Sequence, residues 1–151
     1  MSTKVIVPKN YGWLEHKLSE QEFDHVKECI DMPSGSRISL AGNIKESIPL
    51  HDKDNWFFNN TIVKLIQTYT QEFGNLGNNV PLNQHHPYRM SDWWVNYQKQ
   101  HEFNPLHFHT GIFSFVIWIK IPIDWEEQNK DNPSNMPSKS SFKFVYTDNL
   151  G

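Results

Sequence analysis

The stretch "NPLHFHTGIFSFVIWIKIP", residues 104–122, decides the predicted fold because it is the most apolar segment of the chain. After Gly111 its apolar side chains alternate with a period of two, which predicts a long strand ended by Pro122; these are Phe113, Phe115, Ile117, Ile119 and Ile121. Just ahead of this run, Leu106 and Phe108 are expected on one face, and His107 and His109 on the other.

The composition is that of a folded protein of one domain, 1–151, with a core that needs no disulfide. Aromatic residues make up 14 % of the 151 residues, and Cys29 is the single cysteine. The net charge is −3 and the 14 basic residues are scattered, so nucleic acid binding is not indicated. No run reaches the roughly 18 apolar residues of a membrane helix, which favours a soluble, cytoplasmic protein with no membrane partner.

Two amphipathic helices are predicted in the N-terminal part, about residues 1–80. The first extends from about Glu20 to Asp31 and begins with a capping box formed by Ser19 and Glu22. The second lies in "DNWFFNNTIVKLIQTYTQEFG", residues 54–74, where one apolar stripe is followed by Gly74 as a C-terminal stop. Between them, "SLAGNIKESIPL" is interpreted as a loop or an edge strand.

The part from about 88 to 151 is predicted to be rich in strands. Trp93, Val95 and Tyr97 alternate with their neighbours in "RMSDWWVNYQK", which is typical of a strand. A polar loop from Asp124 is expected to lead to a last strand, Phe142 to Tyr146. The fold class is therefore α+β.

The histidine pair suggests a metal site. Side chains two residues apart on a strand share a face, with their roots about 7 Å apart, so both imidazoles can reach one ion. Imidazole is a good ligand for iron, zinc, copper and nickel. An ordinary structural role, in which His107 and His109 are satisfied by hydrogen bonds, is the alternative that the spacing alone leaves open.

The segment "WWVNYQKQHEFNPLHFHTGIFSFVIWIKIP" resembles the iron(II)- and 2-oxoglutarate-dependent oxygenases, in particular a group common in phage and bacteria. Its members have a W-V-N strand followed by N-x-x-H-x-H. The resemblance extends from about Ser39 to Gly151, includes "FKFVYTDNLG", and is loose before Ser39.

The resemblance implies a jelly-roll core, a double-stranded β-helix with the helices packed on it. It also implies an iron(II) ion, 2-oxoglutarate as a small-molecule co-substrate, and a cytoplasmic location, in the host if the protein is phage-encoded. Such sites use two histidines and a carboxylate. His107 matches the first ligand, whereas His109 stands where the carboxylate usually stands; either His109 is itself a ligand or it lines the pocket.

Three further residues are weaker candidates for binding the co-substrate, and each is also explained by packing or by a solvated strand face. They are Asn96, Tyr97 and Trp118. Arg89 is a possible anion partner, with a solvated position at the strand entry as the alternative.

The distal elements of the family pattern are not found in the expected order. No histidine follows His109 and no arginine follows Arg89. The sequence is therefore expected to lack the C-terminal strands of the core, and to be part of a split gene or an inactive copy, unless an earlier histidine completes the site. The candidates for that role are His51, His85, His86 and His101.

Three functions follow from these observations. The first is an iron(II)- and 2-oxoglutarate-dependent hydroxylase whose prime substrate the sequence does not reveal. The second is a cupin-like metal-binding protein. The third is a non-catalytic interaction domain, with a complementary C-terminal chain or a second copy as its partner.

Overall fold

The computed structural model describes residues 12–35, 40–81, 86–136 and 139–145. The chain divides into two compact units, one of residues 11–114 and one that contains the chain from Phe115 onward. None of the helices in the described residues has the length and apolar character needed to span a bilayer. His85 and Tyr146, which the sequence analysis named, lie outside the described residues.

Helix α1 spans Glu20–Asp31, the bounds predicted from the sequence. Its capping box is formed as expected, since the Glu22 amide donates to Ser19 Oγ at 3.3 Å and the Ser19 amide donates to Glu22 Oε2 at 2.7 Å. Glu22 also accepts a hydrogen bond of 2.7 Å from the hydroxyl of Thr61, a residue only 2 % exposed. The cap therefore also connects α1 to the second helical segment.

The Glu22 network predicts an acid-sensitive stability. Burial raises the pKa of Glu22, but hydrogen bonds from the Ser19 amide and the Thr61 hydroxyl, together with those from the Ser19 hydroxyl and His16, lower it from 4.5 to about 2. Because the pKa is lower in the folded chain, the stabilisation is present above pH 4.5 and is lost as the pH falls towards 2. Allowing for solvent screening, we expect the Glu22 network to contribute about 1–2 kcal/mol to the free energy of unfolding at neutral pH.

Urea unfolding between pH 2 and pH 7 measures this effect. In Glu22→Gln, the free energy of unfolding should fall much less as the pH is lowered through this window. In Glu20→Gln, on the same first turn but outside the network, it should fall as much as in the unsubstituted protein. A Glu22→Gln profile as steep as that of the unsubstituted protein would contradict the assignment.

The second predicted helix is confirmed, with an irregular start. A π-helical turn at Phe58–Ile62 continues directly into α2, Val63–Phe73. Gly74 ends the helix with φ of 89°, a conformation that favours glycine. The apolar stripe of α2 is covered by aromatic rings: the Tyr69 ring lies 5.4 Å from that of Phe113, which in turn lies 5.5 Å from that of Tyr88.

The sheet of the described residues has two antiparallel strands. β1, Ser47–Pro49, pairs with β2, Trp94–Asn96, in a register that places Ile48 opposite Val95. The predicted strand around Trp94 is thus confirmed, and the segment left open as a loop or edge strand is its partner. Helices with a small sheet agree with the α+β class.

The other predicted strands are not seen among the described residues, which show no jelly-roll core. Residues 106–109, 113–121 and 142–145 do not belong to the sheet of the described residues, and the chain bends at Leu106 and at Ile119. A strand forms only where another segment pairs with its backbone, and the sheet of the described residues contains only β1 and β2. As a result Leu106 is 78 % and Phe108 91 % exposed, while Phe113 packs on α2 instead.

In the other unit, the described residues 115–136 and 139–145 contain one short helix, α3, Trp125–Asn129, where the sequence predicted only a polar loop. Asp124 caps it by accepting a hydrogen bond of 3.0 Å from the Glu127 amide. The ring of Phe142 contacts that of Trp118 edge to face at 5.2 Å.

Candidate functional site

The histidine pair converges although no strand is present at this point. Nε2 of His107 lies 3.0 Å from Nε2 of His109, and both side chains are exposed. The ring centroids are 4.7 Å apart with an interplanar angle of 65°. The structure therefore brings together the side chains of the two histidines that the sequence suggested as metal ligands.

The protonation of His107 follows from its other ring nitrogen. Nδ1 lies 2.7 Å from the carbonyl oxygen of Pro105, which can only accept a hydrogen bond, so Nδ1 carries the proton. In the neutral imidazole, Nε2 of His107 is then left with a lone pair that points towards His109. A backbone carbonyl that fixes the tautomer in this way is typical of metal-binding histidines.

The separation of the two Nε2 atoms is compatible with one octahedral ion. Two nitrogens bound at about 2.1 Å and at right angles are about 3.0 Å apart, whereas a tetrahedral ion spreads them to about 3.4 Å. The observed 3.0 Å also fits a hydrogen bond from Nε2–H of His109 to Nε2 of His107.

The chain before the histidines is held by a turn and by the small sheet. Glu102 accepts hydrogen bonds from the amides of Lys99 and Lys45, at 2.9 and 3.1 Å. The hydrogen bond from Lys99 is the largest of the causes that lower the pKa of Glu102. Phe103 pairs with Asn43 in an isolated bridge, which fixes the chain one residue before the segment that carries the histidines.

Trp94 of β2 forms one side of the histidine site. Its ring lies nearly parallel to that of His109, with an interplanar angle of 25° and centroids 6.0 Å apart. Because Trp94 is opposite Pro49 in the sheet, the position of this ring is set by the strand pairing. The sequence analysis did not name Trp94 as a site residue.

The three weaker candidates lie in different surroundings. Asn96 Oδ1 accepts a hydrogen bond of 2.8 Å from the hydroxyl of Ser47, which is 2 % exposed, so this amide is engaged in joining the two strands. Tyr97 follows β2 and is 39 % exposed, and Trp118 belongs to the other unit and is 58 % exposed. Their role towards a co-substrate stays a prediction.

A third protein ligand is not found beside the pair among the residues described. No other described histidine, cysteine, aspartate or glutamate forms a three-ligand group with His107 and His109. His51, His86 and His101 are exposed and take no part in such a group. Among the described residues, the pair therefore offers two nitrogen ligands to an ion and no third protein ligand.

A second cluster was missed by the sequence analysis. His25 and Cys29 are four residues apart on α1, and Asp52 lies beyond β1; one potential ligand atom of each lies within 4.8 Å of the others. His25 Nε2 is 2.9 Å from Asp52 Oδ1 and 3.5 Å from Cys29 Sγ. The i, i+4 spacing of His25 and Cys29 is the signal that could have identified two of its members.

The cluster is shielded from water and carries negative charge. Cys29 is 5 % and Asp52 7 % exposed, and the side chain of His25 is 15 % exposed. Burial raises the pKa of the Cys29 thiol, and the nearby carboxylates of Asp52 and Glu28 raise it further. The thiol is therefore protonated at neutral pH when no cation is bound.

Comparison of the chain with models of protein families, with the curated proteins and with the solved structures found no match.

Proposed function

We propose that the chain is the metal-binding part of an iron(II)- and 2-oxoglutarate-dependent oxygenase. The observation that supports this function is the convergence of His107 and His109 at 3.0 Å, the spacing of two neighbouring ligands on an octahedral ion. Iron(II) prefers nitrogen and oxygen ligands in this geometry, and it would bind 2-oxoglutarate and activate oxygen when present. The resemblance of the surrounding sequence to these oxygenases provides independent support.

Within this proposal, His107 is the better-prepared ligand. Its Nδ1–H donates to the Pro105 carbonyl, which holds the ring in place and leaves Nε2 free to bind. His109 would bind through Nε2, and its ring lies beside the nearly parallel ring of Trp94. The remaining positions are left for 2-oxoglutarate, oxygen and a further ligand.

The jelly-roll core belongs to the same proposal. Phe142 is 50 % exposed and Phe144 is 66 % exposed. Strands from a partner that paired with 113–121 and 142–145 would bury these side chains and the alternating apolar residues of 113–121. A complementary chain or a second copy of this chain would supply them. The same exposed side chains favour a second candidate function, a non-catalytic interaction domain.

Anaerobic titration with iron(II), with and without 2-oxoglutarate, tests the function. We expect a charge-transfer absorption that requires both iron and 2-oxoglutarate, and His107→Ala should abolish it by weakening iron binding more than about 100-fold. His86→Ala, which removes another exposed histidine, should leave the absorption unchanged.

Two outcomes would count against the oxygenase. Iron binding without any effect of 2-oxoglutarate would leave a cupin-like metal-binding protein. No iron binding at the pair would favour the interaction domain. An absorption that persists in His107→Ala would overturn the ligand assignment.

A further inference from the structure

We propose that His25, Cys29 and Asp52 form a zinc site. It uses none of the residues of the proposed oxygenase site. Its nitrogen, sulfur and oxygen donors are those that zinc binds in proteins, and a cysteine ligand disfavours magnesium and calcium.

The two distances from His25 to the other ligands are close to tetrahedral spacing. With bond lengths of about 2.0–2.3 Å, the ligands of a tetrahedral zinc ion are about 3.3–3.6 Å apart. Nε2 of His25 is 3.5 Å from Sγ of Cys29 and 2.9 Å from Oδ1 of Asp52. The imidazole and the carboxylate need to move apart by a few tenths of an ångström, and Sγ of Cys29 lies within 4.8 Å of the carboxylate.

The surrounding backbone orients Asp52 for this role. Its Oδ1 accepts a hydrogen bond of 2.9 Å from the Phe57 amide, and its Oδ2 accepts one of 2.8 Å from the Phe58 amide. Each carboxylate oxygen has two lone pairs, so these bonds leave acceptor capacity on both oxygens. In the metal-free chain His25 Nε2 makes the remaining contact to Oδ1, and a zinc ion would take the place of its proton.

Charge and access also favour a divalent cation. A thiolate at Cys29 and the carboxylate of Asp52 carry two negative charges, which Zn²⁺ neutralises when it displaces the thiol proton. His25 reaches a surface depression that is also lined by Glu20, Gln21, Asp24, Glu28 and Trp56. The carboxylates of Glu20, Asp24 and Glu28 in this depression attract cations. Three protein ligands leave a fourth position for water.

Cobalt(II) titration of the full chain in reducing buffer, after treatment with a chelator, tests the site. Cobalt(II) replaces zinc in tetrahedral sites and gives a thiolate charge-transfer absorption. Since Cys29 is the only cysteine, that absorption reports on this residue alone. We expect it at one cobalt per chain, reversed by zinc, absent in Cys29→Ser, and weakened more than about 100-fold in His25→Ala.

Matched variants separate this site from the histidine pair. His51→Ala removes an exposed histidine next to Asp52 and should leave the absorption unchanged, as should the double variant His107→Ala, His109→Ala. Conversely, Cys29→Ser should keep the absorption that depends on 2-oxoglutarate. No thiolate absorption in the unsubstituted chain, or one that His25→Ala leaves at full affinity, would overturn the zinc site whatever the result at His107.

Discussion

Phe57→Ala is expected to lower the free energy of unfolding by about 3–5 kcal/mol. Phe57 is 1 % exposed and its ring stacks on that of Trp93, with centroids 5.3 Å apart. Few apolar side chains of the described residues are as fully buried; the others are Val26, Cys29 and Ile44. Because a small unit is stabilised by only about 5–15 kcal/mol, this loss is a large part of the total.

Urea unfolding followed by tryptophan fluorescence measures the effect, since Trp93 reports directly on the cavity left by the ring. Phe108→Ala is the matched control. Phe108 is 91 % exposed, so its removal should change the stability by less than about 0.5 kcal/mol. Equal effects of the two substitutions would mean that Phe57 is not the centre of the core.

Structure set by neighbours in sequence was predictable. The bounds of α1 follow from the capping box at Ser19 and Glu22, which acts within a single turn. The end of the second helix follows from Gly74. The π-helical turn at Phe58–Ile62 was not predictable, because its contact between Thr61 and Glu22 joins residues far apart in the chain.

A strand predicted from its alternating pattern was confirmed only where a segment distant in sequence pairs with it in the described structure. The strand around Trp94 forms because residues 47–49 pair with it. The alternating run at 113–121 carries a stronger pattern but does not enter the sheet of the described residues, and Phe113 packs against Tyr69 of α2. Alternating apolar residues indicate that a segment is able to form a strand, but they do not indicate which segment will pair with it.

The two candidate sites also differ in whether their residues are close together in the sequence. His107 and His109 are close in sequence, and their spacing predicted that they converge, although they do so on an unpaired segment. In the other cluster, Asp52 comes from a loop beyond β1. No spacing rule connects that aspartate to α1, so only the folded structure reveals the third ligand.

The second large effect is expected for Asp52→Asn, about 2–4 kcal/mol of lost stability. Both oxygens of Asp52 accept backbone hydrogen bonds, from Phe57 and Phe58, at a position that is 7 % exposed. An asparagine has one oxygen, so in either orientation its NH₂ group faces an amide that also donates. One buried backbone N–H loses its partner, and the charge-assisted contact with His25 is lost as well.

Asp54→Asn is the control that makes this test specific. Asp54 is exposed and lies at φ of 57°, a conformation that asparagine adopts readily, so the stability should change by less than about 0.5 kcal/mol. Urea unfolding in the presence of a chelator keeps any metal contribution out of both values. If Asp52→Asn lowers the free energy of unfolding no more than Asp54→Asn does, the Asp52 carboxylate does not hold the start of the second helical segment. The argument that the backbone orients Asp52 as a zinc ligand would then fail as well.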